Sequence, residues 1–299
     1  MAPIVPPVLP PVSIVIPTYM REKVLWDSVT ALRAQMLAGD EVLIIDQNLP
    51  SLTVPAGLEG SWLRLCPLRV PSLTRARNLG ISLARHDRVI FLDDDIVPWD
   101  HLLERFKQAA LEFPDRILTG VVDQADKSDE IPTPGRIDLD SGEIRTNFSR
   151  PHAGEIAFFP GGLALVPKAC LPAPPYFCPA FKGASQGEEI DFSLRVRARG
   201  VRIHSDPGIG ILHLKAVEGG CRSPLFRRRF FLDHAFNQSL FFGRHGALAR
   251  LPVFFRRIKG FIEFHTRRTG IPSHSPLLVA KALAAVAAGL LTGIRYRGK

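Results

Sequence analysis

The chain has 299 residues, of which 46% are hydrophobic and 22% charged; this excludes a disordered chain and allows a sizeable core in one large domain or two joined ones. Its four cysteines, Cys66, Cys170, Cys178 and Cys221, form no C-x-x-C pair, so the pattern points to neither a structural zinc nor a disulfide framework. The formal charge of +9 is uneven: from Arg222 onward 15 Lys and Arg face only Asp233 and Glu263, whereas residues 1–221 hold 23 bases and 27 acids.

The opening "MAPIVPPVLPPV" is proline-rich and lacks a basic n-region, so it reads as a flexible leader with a cytosolic start. "VSIVIP" at 12–17 and "EVLIID" at 41–46 read as buried strands. Between them Leu25, Val29, Leu32 and Met36 mark one face of a helix that Gly39 should stop. "PSLTRARNLGISLARH" places Ala76, Leu79 and Leu83 on a second helical face, with Ser72 or Thr74 as cap, and "RVIFL" at 88–92 reads as a third strand. A further helix is expected over about 100–112. Alternating strands and helices predict a parallel α/β sheet, with ligands beyond the carboxyl ends of the strands. Thr18 and Tyr19, then Asp46, Gln47 and Asn48, then Asp93, Asp94 and Asp95 all arrive at that rim.

Residues 119–154 are polar and turn-rich, and predict loops or a hairpin over the site. "IAFFPGGLALVPKAC" reads as strand, close backbone approach at Gly161 and Gly162, then strand. "SQGEEIDFSLRVRARG" spaces Ile190, Leu194 and Arg197 as a helix ending at Gly200, with Glu188 and Glu189 in its first turn. "VRIHSDPGIGILHL" supplies another strand or two.

Three consecutive carboxylates repel one another unless something positive lies among them. An acidic strand-to-helix turn is the plainer account, yet three acids exceed what a cap needs, and hard cations such as Mg²⁺ or Mn²⁺ take carboxylate oxygens. Glu188, Glu189 and Asp191 are a solvated helix start on their own; beside a metal-diphosphate site they supply a general base. His213, in the apolar "GIGILHLKA", reads by itself as a core histidine rather than a ligand. There is no Walker A, H-E-x-x-H, G-x-S-x-G or G-x-G-x-x-G motif.

Beyond residue 221, "FRRRFFLDHAFNQSLFFGRHG" and "LPVFFRRIKGFIEFHTRRTG" interleave arginine with phenylalanine, a pattern that fits nucleic acid or an anionic bilayer. "SPLLVAKALAAVAAGLLTGI" approaches the length of a membrane span but is Ala-rich and interrupted by Lys281 and Gly289. Peripheral attachment at the cytoplasmic face, anchored by "RYRGK", is favoured over a helical cap with solvated arginines.

In order and spacing, "VSIVIPTYMR", "EVLIIDQN", "TRARNLGISLA", "VIFLDDDIVP", "FFPGGLALV" and "GEEIDFSLRVRARG" followed by "ILH" resemble the family 2 glycosyltransferases, inverting enzymes of GT-A fold, over about residues 12–215. The resemblance implies a Rossmann-like mixed α/β sheet flanked by helices; the charge pattern adds a basic helical C-terminal extension. The chain then divides into a donor half (1–118), an acceptor and catalytic half (119–220) and the C-terminal region (221–299). Thr18, Tyr19, Asp46 and Gln47 would hold the nucleotide. Asp93 and Asp95 match the D-x-D motif, Asp94 would face ribose or solvent, and Asp95 with His213 would hold Mn²⁺ or Mg²⁺. Arg75 and Arg77 would meet the leaving diphosphate, Glu189 would act as base, and Glu188, Gly161 and Gly162 would meet the acceptor. Two departures stand out: Gln47 replaces a common second acid, and Glu189 replaces the usual Asp. The implied function is metal-dependent transfer from a nucleotide-diphosphate sugar to a lipid-linked or polysaccharide acceptor, with no nucleic-acid partner. A non-catalytic nucleotide-binding scaffold and a nucleic-acid-binding protein using the basic tail are the alternatives.

Overall fold

A computed structural model of the protein describes residues 9–124, 135–140, 143–145, 148–149, 152–216, 219–220, 227–268 and 276–298, with side chains throughout except at 227–228, 261–268 and 276–278. The strands are β1 (Ser13–Thr18), β2 (Glu41–Asp46), β3 (Leu63–Pro67), β4 (Arg88–Leu92), β5 (Ile96–Pro98), β6 (Ile117–Asp123), β7 (Arg136–Asp138), β8 (Glu143–Arg145), β9 (Gly154–Glu155), β10 (Leu163–Pro167) and β11 (Ile203–His213). Helices α1 (Glu22–Arg33), α2 (Leu73–Leu83), α3 (Leu102–Glu112) and α4 (Glu188–Arg197) flank the sheet, and α5 (Arg227–His245), α6 (Leu251–Arg268) and α7 (Pro276–Arg295) follow it.

Nine strands form one sheet in the order β3-β2-β1-β4-β10-β6-β11-β5, with β9 along β11. β3, β2, β1 and β4 are parallel, as the strand-helix alternation requires, but β10 runs antiparallel between β4 and β6, and β5 antiparallel to β11. The sheet is therefore mixed, as the family resemblance implied, and not purely parallel as strand-helix alternation alone suggested. Among the described residues no crossover helix joins β6 to β10; the connection is long, and it leaves the returning strand free to reverse.

Strand periodicity explains the two cores. Ile14, Ile16, Val42, Ile44 and Ile90 pack with α1 and α3, whereas Val15, Leu43, Ile45, Val89 and Phe91 pack with α2 and α4. Both faces are covered, so the strands carry almost continuous apolar runs.

Several local expectations change. The first helix stops at Arg33 rather than beyond Met36, because the chain must turn back to a buried anchor at Asp40. The Asp40 carboxylate accepts from the Leu37 and Val12 N–H groups at 2.8 and 3.0 Å and from Lys107 Nζ at 2.7 and 2.8 Å. β3, interrupted by Arg64 and Cys66, was not expected, and β6 occupies the start of the segment expected to be looped. The hairpin in that segment is β7–β8; residues 125–134 lie outside the description. The expected strand before Gly161 is absent: Ile156 bonds to Ile203 O at 3.0 Å, and Phe158 and Phe159 are buried in coil. β11 is one long strand whose register shifts between Ser205 and Gly210.

α5 and α7 pack with their backbones close together; a Cβ on Gly293 would lie 2.2 Å from Leu240 O. Among the described residues no helix is long and apolar enough to cross a membrane.

Candidate functional site

Pairing of β1 with β2 sets Thr18 beside Asp46, and β4 delivers the aspartates to the same rim. Antiparallel pairing of β11 with β5 then sets His213 opposite Ile96, one residue beyond Asp95. His213 Nε2 lies 3.3 Å from Asp95 Oδ1 and 3.7 Å from Asp93 Oδ2. One ligand atom from each of Asp93, Asp95 and His213 falls within 4.8 Å of the others, the only such cluster among the described residues. Two carboxylates and an imidazole suit a divalent cation such as Mn²⁺. The structure thus brings His213 out of the core role that an isolated histidine would have.

The aspartates have separate tasks. Asp93 is a third exposed, whereas Asp94 and Asp95 are buried. Asp94 accepts from Thr18 Oγ1 at 2.8 Å and from Arg21 at 2.9 Å, and burial pushes its carboxyl up to about 6, with the Asp95 charge adding to the rise. Asp95 Oδ2 accepts from the Ala216 N–H at 3.0 Å and faces Arg21 at 3.1 Å. Burial alone would raise Asp95, but His213, Arg21 and that N–H outweigh it and hold the carboxyl below its ordinary value. Its Oδ1 is left to face Asp93 and His213. Arg21 carried no sequence expectation, although it lies three residues past Thr18. It also donates to Ala216 O at 3.1 Å and so ties the segment after β11 to the aspartates.

Arg75 and Arg77, adjacent in the sequence motif, separate. Arg75 is exposed; Arg77 is buried over the rings of Phe91 and Phe177. Arg77 donates to Gly161 O at 2.6 Å, pairs with Glu188 and stands 4.0 Å from Asp93. Burial opposes its charge, while Asp93 and Glu189 favour it. The two glycines explain themselves here. A Cβ on Gly161 would lie 2.7 Å from Arg77 and one on Gly162 2.2 Å from Asp93 Oδ2, so the groups that need this close approach are the site's own side chains.

The acidic helix start divides three ways. Glu188 turns inward to Arg77, Glu189 is half-buried within reach of that arginine's field, and buried Asp191 accepts from His245 at 2.7 Å and Arg244 at 3.0 Å of α5. Asn78 of α2 and Asn237 of α5 brace the loop leading into α4. Each amide pairs with the N–H and C=O of one loop residue, Phe177 and Lys182 respectively, at 2.8 to 2.9 Å. α5 therefore supports the helix that carries Glu189, a link invisible in local sequence.

At the other side of the rim, Asp46 holds its own loop, accepting from Asn48 N–H and Nδ2 at 3.0 and 2.6 Å and from Leu52 N–H at 2.9 Å. Gln47 bridges Thr18 O at 3.3 Å and the Ser72 N–H at 2.6 Å. That loop, with Tyr19, Gln47, Arg69 and Pro71, lines a cavity of about 690 Å³.

Residues 13–169, more than half of the chain, match the family model described as glycosyl transferase family 2. No curated protein matches significantly. Among solved structures, the chain is similar to GalNAc-T7, crystallised with UDP, GalNAc and Mn²⁺, at a TM-score of 0.55 and 14% identity. That match covers 90% of this chain and 59% of GalNAc-T7, and at such identity it carries the fold alone. Family match and fold agree with the mixed sheet and its rim of aspartates: the chain belongs to glycosyl transferase family 2 and has a GT-A-type α/β fold.

Proposed function

We propose that the protein is a metal-dependent, inverting glycosyltransferase that moves a sugar from a nucleotide-diphosphate sugar to a hydroxyl of a lipid-linked or polysaccharide acceptor. The observation that carries this reading is the Asp93–Asp95–His213 cluster at the rim; the cavity lined by Tyr19 and Gln47 on the other side of the rim has the volume of a small-molecule site. Asp95 Oδ1, Asp93 and His213 would hold Mn²⁺ or Mg²⁺, which when bound supplies positive charge to the leaving diphosphate. That GalNAc-T7 was solved with UDP, GalNAc and Mn²⁺ supports a donor and metal of this class.

In this reading Tyr19 and Gln47 line the base pocket, Thr18 and Asp46 shape it, and Asp94 is held by Arg21 and Thr18 as its inner wall. Arg77, with its charge committed to Glu188 and Gly161 O, positions Asp93; exposed Arg75 stays available to phosphate. Glu189 takes the proton from the acceptor hydroxyl as its oxygen attacks the anomeric carbon opposite the leaving diphosphate, so one displacement inverts configuration. Donor binding belongs to residues 1–118 and acceptor handling to 119–220, with Glu188, Gly161 and Gly162 underlying the acceptor side. Residues 221–299 attach the enzyme peripherally to the cytoplasmic face of the cell membrane, where lipid-linked acceptors lie.

A thermal-shift screen of UDP-, GDP-, ADP- and dTDP-sugars with and without Mn²⁺ tests the reading. A ligand that binds only the native state stabilises by about 2.7 kcal/mol at a hundredfold excess over Kd. One nucleotide class should shift the melting temperature, and only with Mn²⁺; no shift from any class would sink the proposal.

A further inference from the structure

α7 is apolar on two adjacent arcs. One, with Ala282, Val286 and Leu290, is buried in the cluster it shares with α5 and α6. On the next, Leu283, Leu291 and Ile294 are 57%, 69% and 44% exposed. Exposed Ala280, Ala284 and Ala287 fill the spaces between them. At about 100° per residue these six positions span an outward arc of only about 100°, and exposed Lys281 and Arg295 border it. A surface helix ordinarily gives water a charged face. α7 has no acidic residue at all.

We propose that this outward face of α7 is a docking surface for an anionic lipid bilayer, with the helix lying in the membrane plane and its leucines in the headgroup–acyl boundary. The inference rests on the membrane placement proposed above and assigns it a surface. Charge decides between the possible occupants. Residues 222–299 carry 15 bases against two acids, so a second copy would bring the same positive field to this face, whereas anionic headgroups complement it. Nucleic acid fits less well, because the centre of the arc is leucine and alanine rather than arginine. Spanning does not fit this helix as it stands: its neighbouring face is already packed against α5.

The test is flotation of the full-length protein with vesicles of phosphatidylcholine, with or without about one-third phosphatidylglycerol. The parent should float with the anionic vesicles and remain unbound with pure phosphatidylcholine. The Leu283→Glu/Leu291→Glu variant alters only exposed positions, so its melting temperature should be unchanged while its bound fraction falls ~10-fold or more. Lys281→Glu/Arg295→Glu should weaken binding and flatten its salt dependence. If the parent binds no anionic vesicle, the membrane placement fails and this inference with it. If the parent floats and both double variants float equally well, the placement stands and the α7 surface is wrong. A parent that is dimeric by light scattering, and monomeric as Leu283→Glu/Leu291→Glu, would give the face to a second copy and overturn the proposal. Vesicle binding needs no donor or acceptor, so it is read separately from sugar transfer.

Discussion

Replacing Gly162 by alanine puts the closest test on the proposed metal cluster. The new Cβ would lie 2.2 Å from Asp93 Oδ2 and 2.5 Å from its Cγ, about 1 Å inside van der Waals contact. Asp93 is a third exposed, so its carboxylate has room to swing toward solvent and relieve the overlap. Folding stability should therefore change by only about 1 kcal/mol. The swing removes one of three ligand atoms from the cluster. Loss of mere supporting groups costs ~10–100-fold in metal affinity, and displacing Asp93 should cost at least that. Neighbouring Gly161→Ala is the control. Its Cβ meets Arg77, which is buried and unable to swing away, so overpacking of about 1–3 kcal/mol should appear in stability while the ligand atoms stay in place. Titration calorimetry with Mn²⁺, paired with urea unfolding, separates the two effects. Parental Mn²⁺ affinity in Gly162→Ala would refute the assignment of Asp93 to the cluster.

Asp191→Asn strips the charge from a fully buried partner of Arg244 and His245, and should destabilise by about 3–5 kcal/mol in urea unfolding. An effect below about 1 kcal/mol would mean that α5 is not anchored there. Glu41, at the opposite end of its strand from the site, is held below its ordinary value even though burial would raise it, because the Arg85 N–H, Ser13 and Arg64 outweigh burial. A depressed carboxylate stabilises above its unfolded pKa, and that stability is lost as pH falls through the lower native value. Glu41→Gln should therefore be less stable than the parent near neutrality, with the deficit closing as pH drops below the usual glutamate range. A deficit that widens on acidification would show the sign to be wrong.

Much of the rim was legible because it is written in short local patterns. The apolar runs ending in Thr18, Asp46 and Asp93 name their strands, and parallel register then forces those residues together. What stayed hidden depends on partners distant in sequence. The acids at 188, 189 and 191 look alike in a helix start, and only the arrival of Arg77 from one side and Arg244 with His245 from the other assigns them separate tasks. The glycines at 161 and 162 signalled close approach but not by what, since Arg77 and Asp93 reach them across the sheet. Asp46 and Gln47 ended their strand as expected, yet their polar atoms serve the loop and the α2 cap before any ligand. The mixed sheet was legible only through the family resemblance; strand-helix alternation alone suggested a parallel one, because strand direction after a long connection is set by packing rather than periodicity.

The central claim is that Asp95 helps to hold a metal that activates a nucleotide-sugar donor, while Glu189 serves the acceptor. The most direct measurement is nucleoside diphosphate release, with water as acceptor, from the donor that the thermal screen selects. Parent, Asp95→Ala and Glu189→Gln would be compared with Mn²⁺ and after EDTA treatment. Release should require Mn²⁺ in the parent, vanish in Asp95→Ala, and fall in Glu189→Gln with donor KM unchanged. Release that persists in both EDTA-treated parent and Asp95→Ala would contradict the account.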